Sequence, residues 1–163
     1  MSVIDPAAFR AAMGRFPSAV TIVTTGQGAD WRGITATAVC SVTADPPSLL
    51  VCLNRATGTC AMLRDSGRFA VNLLAEADQP LALRFAGAGG VTGAEKFAQG
   101  DWQADAAGVP VLCSALVALS CAVSEVMEAG SHTVFIGEIT AARDGDGPAL
   151  LYEQRRFHRL MPL

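Results

Sequence analysis

Several groups of residues in this chain have side chains and spacings that can do chemistry. The longest is Gly33-Ile-Thr-Ala-Thr-Ala-Val-Cys-Ser-Val-Thr43. In an extended strand alternate residues share a face, which puts Thr35, Thr37, Ser41 and Thr43 on one side and Ala36, Ala38 and Cys40 on the other. Small hydroxyls beside small side chains let backbone amides approach the edge of a flat polar ligand. A strand with a solvated Thr/Ser face has the same pattern, and spacing leaves both open. A second group, Leu53-Asn-Arg-Ala-Thr-Gly-Thr59, stands between a strand and a helix. Such a junction offers free N–H groups and a dipole that favours anions, and Arg55 adds a charge. A phosphate could sit there, and simple capping by Thr57 or Thr59 explains the same residues equally well.

The remaining groups are weaker. Gly87-Ala-Gly-Gly-Val-Thr-Gly93 has glycine spacing like a relaxed dinucleotide fingerprint, but that motif must follow a strand and open a helix. Here it follows a helical segment and enters a polar loop, so it is rejected. No Gly-Lys-Ser/Thr loop exists for nucleotide triphosphates. Gly130-Ser131-His132 lies in a turn between two long strands, where a histidine is either a surface residue or a ligand contact. Arg155-Arg156-Phe157-His158 is a basic and aromatic tail, read as a solvated end or as an arm folding over a ligand.

The elements that must position these groups are mostly strands. Asp5-Pro6 predicts a helix start, with Phe9, Met13 and Phe16 as its apolar stripe. Strands are expected over Ala19–Thr25, Gly33–Val42, Ser48–Leu53, Phe69–Leu74, Leu116–Glu128, Thr133–Ala142 and Ala149–Tyr152. Short helices are expected from Thr57 or Thr59 to Ser66, closed by Gly67, and from Asp78 through Phe85, with a glycine-rich loop over Gly87–Glu95. Many short strands with few helices predict a mainly β, antiparallel, closed or nearly closed barrel, in a single domain spanning 1–163.

Composition bounds the function. The chain has 163 residues, 51% hydrophobic and 17% charged, and a mean hydropathy of +0.36. That apolar surplus points to self-association or to a roomy apolar ligand site. A formal charge of -3 argues against nucleic acid as a partner. Cys40, Cys52, Cys60, Cys113 and Cys121 form no CxxC, and with only His132 and His158 beside them no zinc set is expected. Reduced thiols and a terminus without a secretory signal predict a cytoplasmic protein. Ala106–Ser124 carries no charge, but Gly108, Pro110 and three serines interrupt it. It reads as a turn and a strand, and no membrane segment is expected.

The block from Gly33 to Cys52, which continues through Ala44-Asp-Pro-Pro-Ser-Leu-Leu-Val-Cys52, resembles the signature of the flavin-reductase-like family. Phe9-Arg-Ala-Ala-Met13, Phe85-Ala-Gly87, Gly130-Ser-His132, Leu151-Tyr152 and Arg155-Arg-Phe-His158 match in the same order. The likeness is greatest to reductase components of two-component 4-hydroxyphenylacetate 3-monooxygenases. Reductases of pyrimidine degradation and of corrinoid cobalt reduction are nearly as similar.

The resemblance implies a split β-barrel homodimer of the FMN-binding type. It implies NADH, or NADPH, as hydride donor to FMN or FAD, and a partner flavin-dependent monooxygenase that receives the reduced flavin. By match of motif, Thr35, Ala36, Thr37 and Ala38 line the isoalloxazine. Ser41, Asn54, Arg55 and Thr59 lie near the ribityl phosphate, and Phe85, Ala86 and Gly87 close the pocket. His132 meets the nicotinamide, with Phe157 and His158 completing that side. Ser131 stands where the family commonly has Asp, and Thr37 where others carry Ser or Asn. A corrinoid reductase and a non-catalytic, FMN-binding electron-relay module on the same fold are the alternatives.

Overall fold

The computed structural model describes residues 3–163. Helix α1 (Pro6–Met13) starts as Asp5-Pro6 predicts. The Asp5 carboxylate accepts from the amides of Ala7 at 2.9 Å and Ala8 at 3.1 Å, and Pro6 occupies the first turn. No residue of α1 is buried, and the Phe9–Met13–Phe16 stripe stays about half exposed.

The strands follow as β1 (Ser18–Ala19), β2 (Thr21–Thr25), β3 (Arg32–Ala36), β4 (Val39–Ala44) and β5 (Pro47–Asn54). Helix α2 (Gly58–Ser66), β6 (Arg68–Leu73) and helix α3 (Gln79–Phe85) come next. After them lie β7 (Trp102–Ala104), β8 (Pro110–Leu112), β9 (Val117–Ala129), β10 (His132–Asp144), β11 (Leu150–Glu153) and β12 (Arg156–Arg159). Seven strands form one antiparallel sheet in the order β3-β2-β6-β9-β10-β5-β4. Its two edges, β3 and β4, are consecutive in the chain and only Thr37 and Ala38 separate them. Three Cα–Cα steps reach no more than about 11 Å, so the sheet has to curl until its edges nearly meet. No ladder crosses the gap, and the result is a split barrel.

The expectation of one strand over Gly33–Val42 is therefore corrected. The chain breaks at Thr37–Ala38 to change edges, and a strict alternation of faces does not run through that break. Thr35 and Ala36 are half-buried, whereas Thr37, Ala38 and Ser41 are exposed. The Thr35 hydroxyl is not part of an open polar row either, because it donates to the Ala82 carbonyl of α3 at 2.6 Å.

The inside of the barrel is filled by Val23, Val51, Leu63, Phe69 and Phe135, with α2 closing one side. Gly137 lets Phe69 lie flat on β10, since a Cβ there would come within 2.5 Å of the ring. A second cluster, around Val20, Phe85, Leu112 and Leu150, packs α3 and the β7–β8 hairpin against the outside. The β7 strand was not expected from the sequence. The tail at Arg155–His158 is a further strand, β12, joined to β11 by a turn at Gln154–Arg155 and forming a small sheet in the order β1-β11-β12. The loop at Gly87–Glu95 contains short 3-10 turns. Among the described residues no helix is long and apolar enough to cross a membrane.

Candidate active site at the barrel seam

The break between β3 and β4 exposes backbone. The Thr37 carbonyl accepts from Val39 N–H at 3.1 Å and the Ala38 carbonyl from Cys52 N–H at 3.0 Å, while the amides of Thr37 and Ala38 donate to nothing among the described residues. Two free donors beside small side chains can meet the polar edge of a planar ring.

Further back along β3, a cavity of about 280 Å³ is bounded by Arg32, Gly33 and Ile34, by Thr57, Gly58 and Thr59 at the start of α2, and by Thr92, Gly93 and Lys96. Thr57 caps α2, accepting from the Cys60 amide at 3.2 Å. That leaves the amides of Gly58 and Thr59 without acceptors among the described residues. Thr59 is 5% exposed as a residue, and its hydroxyl is not among any buried atoms left without a partner, so it opens onto the cavity.

Lys96, the only lysine in the chain, donates to the carbonyls of Phe85 at 2.8 Å and Gly33 at 3.4 Å. No carboxylate neutralises it among the described residues, and burial pulls its pKa below the ordinary lysine value. Its place is fixed from both sides. Arg84 Nε holds the Lys96 carbonyl at 2.8 Å. The next residue, Phe97, is wedged among Trp31, Phe85 and Trp102 with ring centroids 4.9 to 5.4 Å away. A free hydroxyl, two free amides, a lysine and Arg32 around one cavity are donors of the kind that bind an anion.

Asn54 and His132 face each other across β5 and β10. Asn54 Oδ1 accepts from the Ala56 amide at 2.9 Å and shapes the turn into α2. Ser131 Oγ lies 2.9 Å from His132 Nδ1, which orients the ring. Arg55 does not line the cavity. Its guanidinium pairs with Glu128 at 3.1 Å, and Arg64 binds the same carboxylate.

Of the ligand-contact residues named from the sequence, only Thr59 lines this cavity, beside Arg32–Ile34 of β3; Thr37 lines a separate one with Thr21, Val39 and Leu119, and Asn54 and Arg55 lie at the turn before α2. Ser41 lies on the exposed outer edge strand. The Phe85 side chain is fully buried in the core, so what it offers the cavity is its carbonyl, the acceptor for Lys96. Ala86 and Gly87 are exposed beyond it. Phe157 and His158 belong to the small sheet and not to that of His132. Phe157 packs on Tyr152 at 5.2 Å, and His158 Nε2 lies 3.3 Å from the Glu153 carbonyl. Sequence reasoning missed Lys96. Its signal was slight, a lone lysine followed by an aromatic residue.

Known proteins are similar to this chain in sequence and in fold. The family described as "Flavin reductase like domain" matches residues 13–161. The 4-hydroxyphenylacetate 3-monooxygenase reductase component of Pseudomonas aeruginosa is 42% identical, covering 98% of this chain and 96% of its own. The FMN reductase (NADH) RutF of Pseudomonas syringae is 40% identical over 98% of this chain and 89% of its own. Among solved structures, the flavin reductase PheA2 superposes with a TM-score of 0.87 at 32% identity, covering 98% of this chain and 100% of that one. The Streptomyces globisporus NADH:FAD oxidoreductase SgcE6, in complex with NAD and FAD fragments, gives 0.89 at 30% identity, covering 99% and 98%. The chain belongs to the flavin reductase like domain family.

Proposed function

We propose that this chain is an NADH-dependent flavin reductase, one domain over 1–163, that passes a hydride from NADH to FMN or FAD and supplies the reduced flavin to a flavin-dependent monooxygenase. The observation that carries the reading is the pairing, along one strand, of an anion cradle at Thr59 and Lys96 with the free amides of Thr37 and Ala38. A flavin mononucleotide has its anionic end and its hydrogen-bonding ring edge at two ends of one molecule, and the chain offers a complement to each. The names of the relatives support the same chemistry, as reductases using NADH and as components of two-component systems.

The redox chemistry belongs to the bound flavin and NADH, one accepting and the other giving the hydride. The protein's residues bind and orient. Lys96, Thr59 and the first turn of α2 hold the phosphate. With a flavin bound, the Thr37 and Ala38 amides would donate to the ring edge and stabilise the negative charge that reduction places there. His132, with its Nδ1 engaged by Ser131, presents Nε2 to the nicotinamide and orients it. It is not an essential proton donor. No nucleophile or metal is required of the chain for this reaction.

The reading includes a homodimer, working in the cytoplasm. Phe9 and Met13 on α1, Phe16 just after it, and Val42, Val126 and Met127 on the sheet are large apolar side chains left exposed by one chain, as residues covered by a second copy are. Steady-state oxidation of NADH and NADPH with FMN and with FAD tests the function. Rapid NADH oxidation that depends on added flavin is expected. Flavin binding without oxidation would instead identify an electron-relay module, and turnover only with an added corrinoid would identify a cobalt reductase.

A further inference from the structure

The β9–β10 hairpin carries His132 at its tip, and every residue from Ser124 to Ser131 is exposed. No hydrophobic core fixes this tip, so its placement falls to the ladder between β10 and β5 and to polar side chains. Those side chains converge on one carboxylate. Glu128 takes Arg55, from the turn before α2, on one oxygen at 3.1 Å, and Arg64, from the last turn of α2, on the other. Arg64 also donates to Thr133 Oγ1 at 3.1 Å, and Thr133 stands opposite Glu128 in the ladder. The Arg55 amide donates to the Ser131 carbonyl at 3.0 Å, one residue from His132.

We propose that Glu128 is a positioning residue for the nicotinamide: by holding Arg55 and Arg64 together it locks the turn bearing Ser131 and His132 against α2, the helix whose first turn cradles the flavin phosphate. The inference rests on the reading of His132 given above. Global stability does not explain the cluster. The three side chains are 45 to 53% exposed, and ion pairs at that exposure contribute little to folding. Geometry does explain it. The nicotinamide and the flavin are held by different elements, and productive transfer needs the two rings fixed relative to each other to a fraction of an ångström. Arg64, and then Arg55, keep the Glu128 carboxyl below its ordinary pKa, so the clamp stands charged at neutral pH.

A double-mutant cycle tests it. Glu128→Gln keeps the shape and removes the charge, and is compared with His132→Ala and with the double variant at saturating FMN. Two residues that act through one contact are non-additive. Glu128→Gln is expected to raise KM for NADH roughly three- to tenfold, with the flavin KM and the melting temperature little changed. The double variant is expected to be no worse than His132→Ala alone. Arg64→Gln opens the clamp from the other side and should reproduce the effect. An unchanged KM for NADH in both Glu128→Gln and Arg64→Gln overturns the proposal, as do effects that add fully to those of His132→Ala. If His132→Ala itself leaves KM for NADH untouched, the reading of His132 fails first and the clamp's role falls with it.

Discussion

Ala36 and Val39 lie on opposite edges of one seven-stranded sheet although only Thr37 and Ala38 stand between them. That relationship creates the candidate ring site. A strand that leaves one edge and joins the other must give up its ladder partners over the crossing, and the amides released there have no acceptor among the described residues. Buried backbone donors are almost always paired. Free ones at an exposed gap are available to a ligand.

Gly33 sits just before this gap and is held by packing. A Cβ at Gly33 would lie 2.6 Å from Phe85 Cε1 and 2.8 Å from Cδ1, in a ring that is itself fully buried. Overpacking of this kind costs about 1–3 kcal/mol. Gly33→Ala should lower the urea midpoint by a corresponding amount without changing the slope, and should weaken flavin binding as β3 shifts. An unchanged midpoint would show that the ring yields freely.

Lys96→Gln separates the cradle from the ring site. A charge-assisted hydrogen bond contributes about 1.5–3 kcal/mol, so FMN should bind roughly ten- to a hundredfold more weakly. Riboflavin, which has no phosphate, should bind as before. Fluorescence titration of both ligands reads the difference, and an equal loss for both would mean that Lys96 acts only through the fold.

The same lysine sets a pH dependence. Burial lowers its pKa, and the charged form is present below that value and lost above it. The preference of the wild type for FMN over riboflavin should therefore fade with rising pH before the ordinary lysine range is reached. In Lys96→Gln the preference should stay flat over the same interval. The measurement is the ratio of the two dissociation constants against pH.

Phe9→Asp with Phe16→Asp should convert a dimer to a monomer in sedimentation, because a charge cannot be buried unpaired against a second copy without a large cost. A wild type that already sediments as a monomer, or a variant that sediments like a dimeric wild type, would contradict the assignment of this surface to a second copy.

Cys121 is buried among Val23, Phe69 and Phe135, and burial pushes its thiol up to about 12. The thiolate is the reactive form. Cys121 should resist alkylation of the folded protein at mildly alkaline pH and react only on unfolding, as peptide mass mapping would show.

Much of the fold was legible because its signals are local. Asp5-Pro6, the Thr57 cap and Gly67 at φ +63 mark helix ends where the structure has them. β-branched runs mark the strands. The break at Thr37–Ala38 was not legible, since nothing in the sequence of the block differs from an unbroken strand; the break is imposed by closure of the sheet, a global constraint. β7 was missed because Trp102–Ala104 is too short to show alternation. In the candidate site, the motif names Thr59, which lines the cavity at the start of α2. The partner of Arg55 could not be named from it, because Glu128 is 73 residues away. Lys96 escaped for the same reason: its role depends on Phe97 finding Trp31, Phe85 and Trp102 in space.

Anaerobic mixing of protein, FMN and NADH, followed by the loss of flavin absorbance, tests most directly whether the seam holds the reacting ring. Wild-type protein should bleach FMN rapidly. Ala38→Trp, which fills the gap from an exposed position and so should fold normally, should bind phosphate at the cradle but reduce FMN slower by two orders of magnitude or more, on the order of the loss seen when a reacting group is displaced. Bleaching at the wild-type rate by a folded Ala38→Trp protein would place the ring elsewhere.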